Sequence, residues 1–245
     1  MSEKTAVIIG VGAINGMGGQ LCKRFASLGL HVVIAGRTQG KIDKVADAIQ
    51  AEGGKATAIA CDGTIESDVQ NLIAEAAKIG PIDLAIFNTG NNMPGHIIGM
   101  EASYFEECWR LCTFGAFLFA REAATHMEQN GTGTILFTGA TAGKVGNPMF
   151  VAFTAAKAGM RTMAQAMAKD LSAKGVHIGH VVIDGAIDGN RIRKGLPQLV
   201  ERWGEDRLVD LGGIVDIYEM LYKQPKRAWT FEVDVRSSVA EFGIQ

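Results

Sequence analysis

Residues 6–31 join a short apolar strand, a cluster of glycines and the start of a helix, and no other segment constrains the fold as tightly. Ala6-Val7-Ile8-Ile9 leads into Gly10, Gly12, Gly16, Gly18 and Gly19, followed by Gln20-Leu21-Cys22-Lys23-Arg24-Phe25-Ala26. Glycine lets the backbone turn sharply and lets a ligand come close, because no Cβ stands in the way. The helix that follows offers unpaired N–H groups and the positive end of its dipole, a combination that holds a pyrophosphate. The pattern G-x-G-x-x-G fails from Gly10, since Asn15 occupies its third glycine position. The spacing that fits is Gly12-x-x-x-Gly16-x-Gly18. A nucleotide cofactor is the first expectation.

Short apolar runs, often β-branched, then alternate with helically spaced ones. Strands are expected over 6–9, 31–35, 56–60, 84–87, 134–137, 178–183 and 228–235. Helices are expected over 20–28, 41–51, 65–77, 101–127 and 148–171. Strands apolar on both faces and separated by helices imply a parallel sheet covered on both sides. Right-handed crossovers then leave an α/β, single-domain Rossmann fold over residues 1–245, a doubly wound parallel sheet of about seven strands. The stretch 186–213 is the longest irregular insertion and reads as a lid over a substrate.

Charge and composition narrow the partners. With 24 basic against 26 acidic residues the net charge is −2, which gives no reason to expect nucleic acid or an anionic membrane as partner. No apolar run approaches bilayer length, and Met1-Ser2-Glu3-Lys4 leads into a strand without a signal peptide. Cys22, Cys61, Cys108 and Cys112 lack metal-type spacing and read as buried thiols, so no metal is expected. The expectation is a soluble, cytoplasmic protein acting on a small molecule. From Val145 to Ala156 there is no charge, and Ala158, Gly159 and Ala164 continue the small, uncharged character. The preceding helix carries Phe105, Trp109, Phe114, Phe117 and Phe119. Helices apolar on most sides need cover, here either a thick monomeric core or, as expected, a second subunit in a homodimer or homotetramer.

The end of the second strand decides between nicotinamide cofactors. A carboxylate there bonds the ribose 2′-hydroxyl of NAD, whereas arginine accommodates the 2′-phosphate of NADP. The chain reads Val33-Ile34-Ala35-Gly36-Arg37-Thr38, with no acidic residue. Arg37 is placed for charge-assisted bonds to phosphate, the other reading being a solvated surface arginine. NADP(H) is the expected cofactor.

Taken together these features resemble the short-chain dehydrogenase/reductase family across essentially the whole chain. Gly12-Ala13-Ile14-Asn15-Gly16-Met17-Gly18 is similar to its glycine motif, Cys61-Asp62 to its adenine-contacting segment, and Phe87-Asn88-Thr89-Gly90 to its Asn-Ala-Gly motif. Phe153-Thr-Ala-Ala-Lys157 falls where that family has Tyr-x-x-x-Lys, and Asp184-Gly185 where it has Pro-Gly. The resemblance implies cofactor contacts from Gly12, Ile14, Asn15, Gly16, Met17, Gly18, Arg37, Thr38, Asp62, Gly63, Asn88, Thr89, Gly90, Lys157, Gly185 and Ile187.

In such a family tyrosine handles the proton on the substrate oxygen and serine hydrogen-bonds that oxygen. Lysine lowers the tyrosine pKa and holds the nicotinamide ribose, and an asparagine completes a proton relay. The corresponding positions here are Phe153, Ala140, Lys157 and Cys112, so only the lysine remains. A positioned acid or base contributes roughly 10²–10⁴ in rate, and phenylalanine can neither ionise nor donate. Replacement candidates are His96, as a general acid after the fourth strand, and Thr141, as the missing hydroxyl, with Thr138 the weaker choice. Cys112 has no basic neighbour to make it a nucleophile. Asp184 and Asp188 are read either as substrate-orienting groups or as caps. The candidate catalytic set is therefore Lys157, Phe153, His96 and Thr141.

The leading functional expectation is an NADP(H)-dependent oxidoreductase acting on a small apolar carbonyl, imine or enone. The alternative is a catalytically weak or inactive NADP(H)-binding partner subunit or sensor. A third reading is an isomerase or lyase that retains the cofactor.

Overall fold

Small and β-branched residues at both faces let seven segments lie side by side with helices above and below. The computed structural model describes residues 3–90 and 92–239. In chain order the strands are β1 (Thr5–Ile9), β2 (His31–Gly36), β3 (Lys55–Ala60), β4 (Ile82–Phe87), β5 (Gly133–Ala140), β6 (Val176–Asp184) and β7 (Glu232–Arg236). They form one sheet of order β3-β2-β1-β4-β5-β6-β7, and every pairing is parallel. The order reverses between β1 and β4, so their carboxyl ends diverge into the crevice where doubly wound sheets bind ligands.

Helices α1 (Met17–Ser27), α2 (Gln39–Ala51) and α9 (Leu211–Lys223) cover one face. Helices α3 (Glu66–Ile79), α5 (Gly115–Asn130) and α6 (Val151–Leu171) cover the other. Phe25, Ile34, Ile42 and Tyr218 are fully buried on the first face, and Phe87, Phe119 and Phe137 on the second. The helix expected over 101–127 is interrupted. It runs as α4 (Ala102–Trp109), a widened π turn over Arg110–Phe114, and then α5. Helix α9 is an addition to the sequence expectation: Asp210 caps it by accepting from the Gly213 N–H at 2.6 Å, and Ile214, Val215, Tyr218 and Leu221 face the sheet. The insertion holds two short helices, α7 (Asn190–Gly195) and α8 (Pro197–Trp203). Strand β7 starts at Glu232 and not at 228, because Lys226–Ala228 forms a tight turn and Trp229 stacks flat on His177, with ring centroids 4.9 Å apart.

Beneath α6 the edge of the sheet carries a polar network. Glu232 accepts two bonds from Arg161, at 2.5 and 2.9 Å, and a third from His180 Nδ1 at 3.0 Å. Because the carboxylate only accepts, His180 carries its proton on Nδ1, and Nε2 is buried without a partner. Burial pushes the His180 pKa down from 6.5 to about 4. A base whose folded pKa is depressed binds its proton mainly in the unfolded chain, so stability is lost as pH falls below the unfolded value. Between pH 7 and pH 5 this one group should cost about 2 kcal/mol of unfolding free energy. Urea unfolding at the two pH values checks this. In His180→Phe, which keeps the ring against Phe231, that difference should shrink by the same amount.

Candidate active site

The strand tips collect every segment that the sequence motifs single out. Gly10, just past β1, sits at φ +88°, and a Cβ there would lie 2.5 Å from the Asn88 carbonyl oxygen. Only glycine allows the two strand ends to touch. Gly12 shows the opposite surroundings: nothing lies within 4 Å of where its Cβ would be. Gly16 precedes α1 without supplying a side-chain cap, so the first-turn amides of Met17 and Gly18 have no side-chain acceptor there. Ile14 packs against the core and anchors this turn, and Asn15 is exposed on it.

At the tip of β2, Arg37 and Thr38 are exposed, and Arg37 forms no ion pair among the described residues. After β3, Asp62 Oδ1 accepts from the backbone N–H and hydroxyl of Thr64, at 2.9 and 2.8 Å, which shapes the turn at Gly63. The Asn88 side chain acts as a staple. Its Nδ2 donates to the Gly10 carbonyl at 3.2 Å, and its Oδ1 accepts from the Thr138 hydroxyl at 2.9 Å. The Thr138 oxygen in turn lies 2.7 Å from the hydroxyl of Tyr218, a fully buried phenol on α9. One chain of hydrogen bonds thus links β1, β4, β5 and α9.

Lys157 on α6 is 3 % exposed. Its ammonium donates to the Thr89 carbonyl at 3.1 Å and the Thr138 carbonyl at 2.8 Å. Burial pushes its pKa below the usual lysine value, against a smaller opposing effect of Cys112 and Cys108. Its Nζ lies 5.8 Å from the centre of the Phe153 ring. Phe153, Tyr104 and Met100 pack on a small separate core of Cys108, Cys112, Ala152 and Ala156. The two thiols hydrogen-bond to each other, and that bond together with burial holds Cys108 far above the usual thiol range. The π turn serves this region: the carbonyl of Leu111 accepts from the Thr89 hydroxyl at 3.0 Å. Widened turns of this kind free carbonyls from the helical ladder.

The proposed replacements for the missing tyrosine and serine have distinct surroundings. The Thr141 hydroxyl donates to Asp184 Oδ1 at 2.5 Å, so its proton is committed. Asp184, 5 % exposed, is also held by Arg236 at 3.0 Å. Nothing in the spacing of the sequence announces this Thr141–Asp184–Arg236 group. His96 is exposed on the loop after β4, beside Gly95, which pairs with Phe150 ahead of α6. The Tyr104 hydroxyl donates to the Met93 carbonyl at 2.8 Å.

Above the site, the insertion is tied at its base. Ile187 pairs with Val209: the Val209 N–H donates to Ala186 O and the Asp188 N–H to Val209 O, both at 2.9 Å. Gly185, at φ +142°, precedes this neck. Asp188 holds Arg193 through both carboxylate oxygens, and Arg193 reaches Glu205 at 3.1 Å. The Asn190 N–H donates to the Asn15 carbonyl at 3.3 Å, which brings the start of α7 onto the glycine turn.

These residues fit a nicotinamide dinucleotide. The space at Gly12 is open, a guanidinium without an ion pair among the described residues stands at the β2 tip, and the Lys157 ammonium has a third donor beyond its two carbonyl bonds. No group of three or more His, Cys, Asp or Glu side chains among the described residues is arranged to hold a metal ion. No helix among them is long and apolar enough to cross a membrane. A parallel sheet in this order, with a glycine turn at its switch point, defines a dinucleotide-binding frame.

Comparison with known proteins specifies it further. Residues 4–195 match the short chain dehydrogenase family. The 7alpha-hydroxysteroid dehydrogenase of Escherichia coli (strain K12) is 31 % identical over 188 residues, spanning 76 % of this chain and 72 % of that protein. The crystal structure of a short-chain dehydrogenase from Rhodopseudomonas palustris superposes with a TM-score of 0.81 at 32 % identity, covering 96 % of this chain and 98 % of the other. A 7 alpha-hydroxysteroid dehydrogenase complexed with NADH and 7-oxo glycochenodeoxycholic acid gives a TM-score of 0.87 at 26 % identity, covering 97 % and 94 %. The chain belongs to the short-chain dehydrogenase family.

Proposed function

We propose that the protein is an NADP(H)-dependent oxidoreductase with a non-standard proton-handling site, acting on a small apolar carbonyl, imine or enone. The observation that supports this reading is Lys157: buried on α6, its ammonium bonds the carbonyls of Thr89 and Thr138 at the strand tips. A buried ammonium is costly to keep without a task. When bound, the cofactor supplies or accepts a hydride at its nicotinamide ring. Lys157 holds the nicotinamide ribose with its remaining donor, and Gly12, Gly16 and the start of α1 hold the pyrophosphate. Arg37 and Thr38 take the 2′-phosphate, although the hydroxysteroid relative of known structure was crystallised with NADH. Phe153, Met100 and Tyr104 form an apolar wall suited to a substrate with little charge. Residues 186–213 act as the lid.

Steady NADPH consumption with a panel of aldehydes, ketones, cyclic imines and enones tests the reading. Consumption with at least one of them is expected. Tight NADPH binding without any turnover would favour the second reading, an inactive cofactor-binding subunit or sensor, for which the loss of the tyrosine and serine positions to Phe153 and Ala140 speaks.

The same proposal includes a homodimer or homotetramer. Phe105, Trp109 and Phe117 are exposed along α4 and α5, with Trp109, Phe114 and Phe117 stacked in a row and Arg110 and Arg121 over the rings. A contiguous aromatic row of this kind marks an association surface. Trp109→Glu should lower the particle mass measured by sedimentation at least twofold. A parent already monomeric at micromolar concentration would remove the interface.

A further inference from the structure

We propose that the substrate carries its reacting group on an uncharged aliphatic chain, and that an apolar rim built from the segments following β4, β5 and β6 receives this chain. This rests on the oxidoreductase reading above and names the class of substrate for that same site.

The rim stands out in how exposed apolar side chains are distributed. Fourteen large hydrophobic residues are exposed among the described residues, and seven of them lie on these three segments. Met93, Ile97 and Ile98 follow β4, Val145 and Met149 follow β5, and Leu196 and Trp203 follow β6. Ile98 is 92 % exposed. Three of the others, Phe105, Trp109 and Phe117, belong to the aromatic row on α4 and α5, and the remaining four lie elsewhere. Single exposed apolar residues are ordinary, whereas a cluster marks a contact surface.

Topology gathers this cluster beside the site. β4, β5 and β6 are neighbours in a sheet whose strands all run parallel, so the three segments leave the same edge side by side. The first two are joined: the Gly95 N–H donates to the Met149 carbonyl at 2.7 Å, and the Val151 N–H to the Gly95 carbonyl at 3.3 Å. The joint rests on the wall of the site, because a Cβ on Gly95 would lie 3.1 Å from Tyr104 Cε1 and 3.2 Å from Met100 Cε. The Tyr104 hydroxyl, bonded to the Met93 carbonyl at 2.8 Å, ties the same wall to the start of the rim. The apolar surface that begins at Phe153, Met100 and Tyr104 therefore continues outward onto Met93, Ile97 and Ile98. That continuity assigns the rim to the substrate of this site.

Charge agrees with such an occupant. No Asp, Glu, Lys or Arg occurs between Asn88 and Met100. Lys144, the one charged residue between Thr141 and Phe150, is tied to Asp234 on β7 at 2.9 Å. On the third segment Arg193 is held by Asp188 and Glu205. A carboxylate or phosphate on the chain would thus meet no free cation on the first two segments.

Calorimetric binding of a homologous series of methyl ketones, from ethyl to octyl, to the protein saturated with NADP⁺ tests this without requiring turnover. Affinity should rise about two- to fourfold with each added methylene, as CH₂ groups leave water. Ile98→Ser, at a position that supports no core packing, should weaken the octyl ketone at least about fivefold more than the ethyl ketone. Met220→Ser, exposed on α9 outside the rim, should leave the series as in the parent. Equal affinity along the series overturns the proposal, and so does an Ile98→Ser protein that keeps the parent's dependence on chain length. A lower particle mass in Ile98→Ser would give the rim to a second copy of the chain and overturn it as well. Chain-length-dependent binding without NADPH consumption on any carbonyl, imine or enone would overturn the oxidoreductase reading while still placing the chain in the rim.

Discussion

Replacing Arg37 by glutamate is expected to weaken NADPH binding by about 10²–10³-fold while leaving NADH binding unchanged or improved. A hydrogen bond to a charged group contributes about 1.5–3 kcal/mol, and each 1.4 kcal/mol is about tenfold in affinity. Arg37 is exposed at the end of β2 and has no carboxylate partner to compete with a phosphate among the described residues. Its replacement therefore removes a ligand contact without disturbing an internal ion pair. Glutamate adds repulsion toward the 2′-phosphate and, at the same place, an acceptor for the 2′-hydroxyl of NADH. Fluorescence titration with both cofactors reads the switch. Equal NADPH affinity in parent and variant would remove the assignment of NADP(H).

The second large effect concerns the reacting end. The double variant Phe153→Tyr with Ala140→Ser should raise carbonyl reduction by about 10²–10⁴-fold, the contribution expected of a positioned acid. The change at 153 adds one oxygen to a ring already lying 5.8 Å from the Lys157 ammonium, so a phenol there would have a cation beside it. Ala140 ends β5 next to Thr141, whose own hydroxyl is turned to Asp184, so a serine at 140 adds a donor that the parent does not offer. Groups acting on one oxygen are not additive, and the single variants should each show much less than half of the logarithmic gain. Initial rates on one weak ketone substrate, with NADPH saturating, measure the effect. A double variant no faster than the parent would show that proton donation is not what limits this site.

Much of the frame was legible because its causes are local. A parallel strand buried on both faces must be apolar along its whole length, and Val32-Val33-Ile34-Ala35 and Leu84-Ala85-Ile86-Phe87 state that openly. The glycine turn is equally plain from its spacing, Gly12-x-x-x-Gly16-x-Gly18 after an apolar strand, and Gly10 is the position whose backbone requires glycine. Helix α9 lies outside the sequence expectation although Asp210 and the spacing of Ile214, Tyr218 and Leu221 mark it, because the stretch before it reads as irregular. The π turn left no such trace: Arg110-Leu111-Cys112-Thr113-Phe114 has ordinary helical residues, and its widening is tied to the distant Thr89 hydroxyl.

The same limit applies at the site. Positions could be mapped by motif, but partners 20 to 80 residues away could not. That the Asn88 amide braces Gly10 and Thr138, or that Asp184 is shared by Thr141 and Arg236, follows from packing and not from spacing. For Thr141 the consequence is chemical, because a hydroxyl whose hydrogen is already given away can accept a bond but not offer one.

The neck formed where Ile187 meets Val209 separates two parts of the molecule mechanically. Between those points the segment meets the rest of the fold through the Asn190 N–H on the Asn15 carbonyl and the Ser237 hydroxyl on the Asp206 carbonyl. Closing a longer loop costs little, about 0.6 kcal/mol for each doubling of its length. That segment can therefore change in length and sequence at small cost to the sheet beneath it, as a tool head is changed on a fixed spindle.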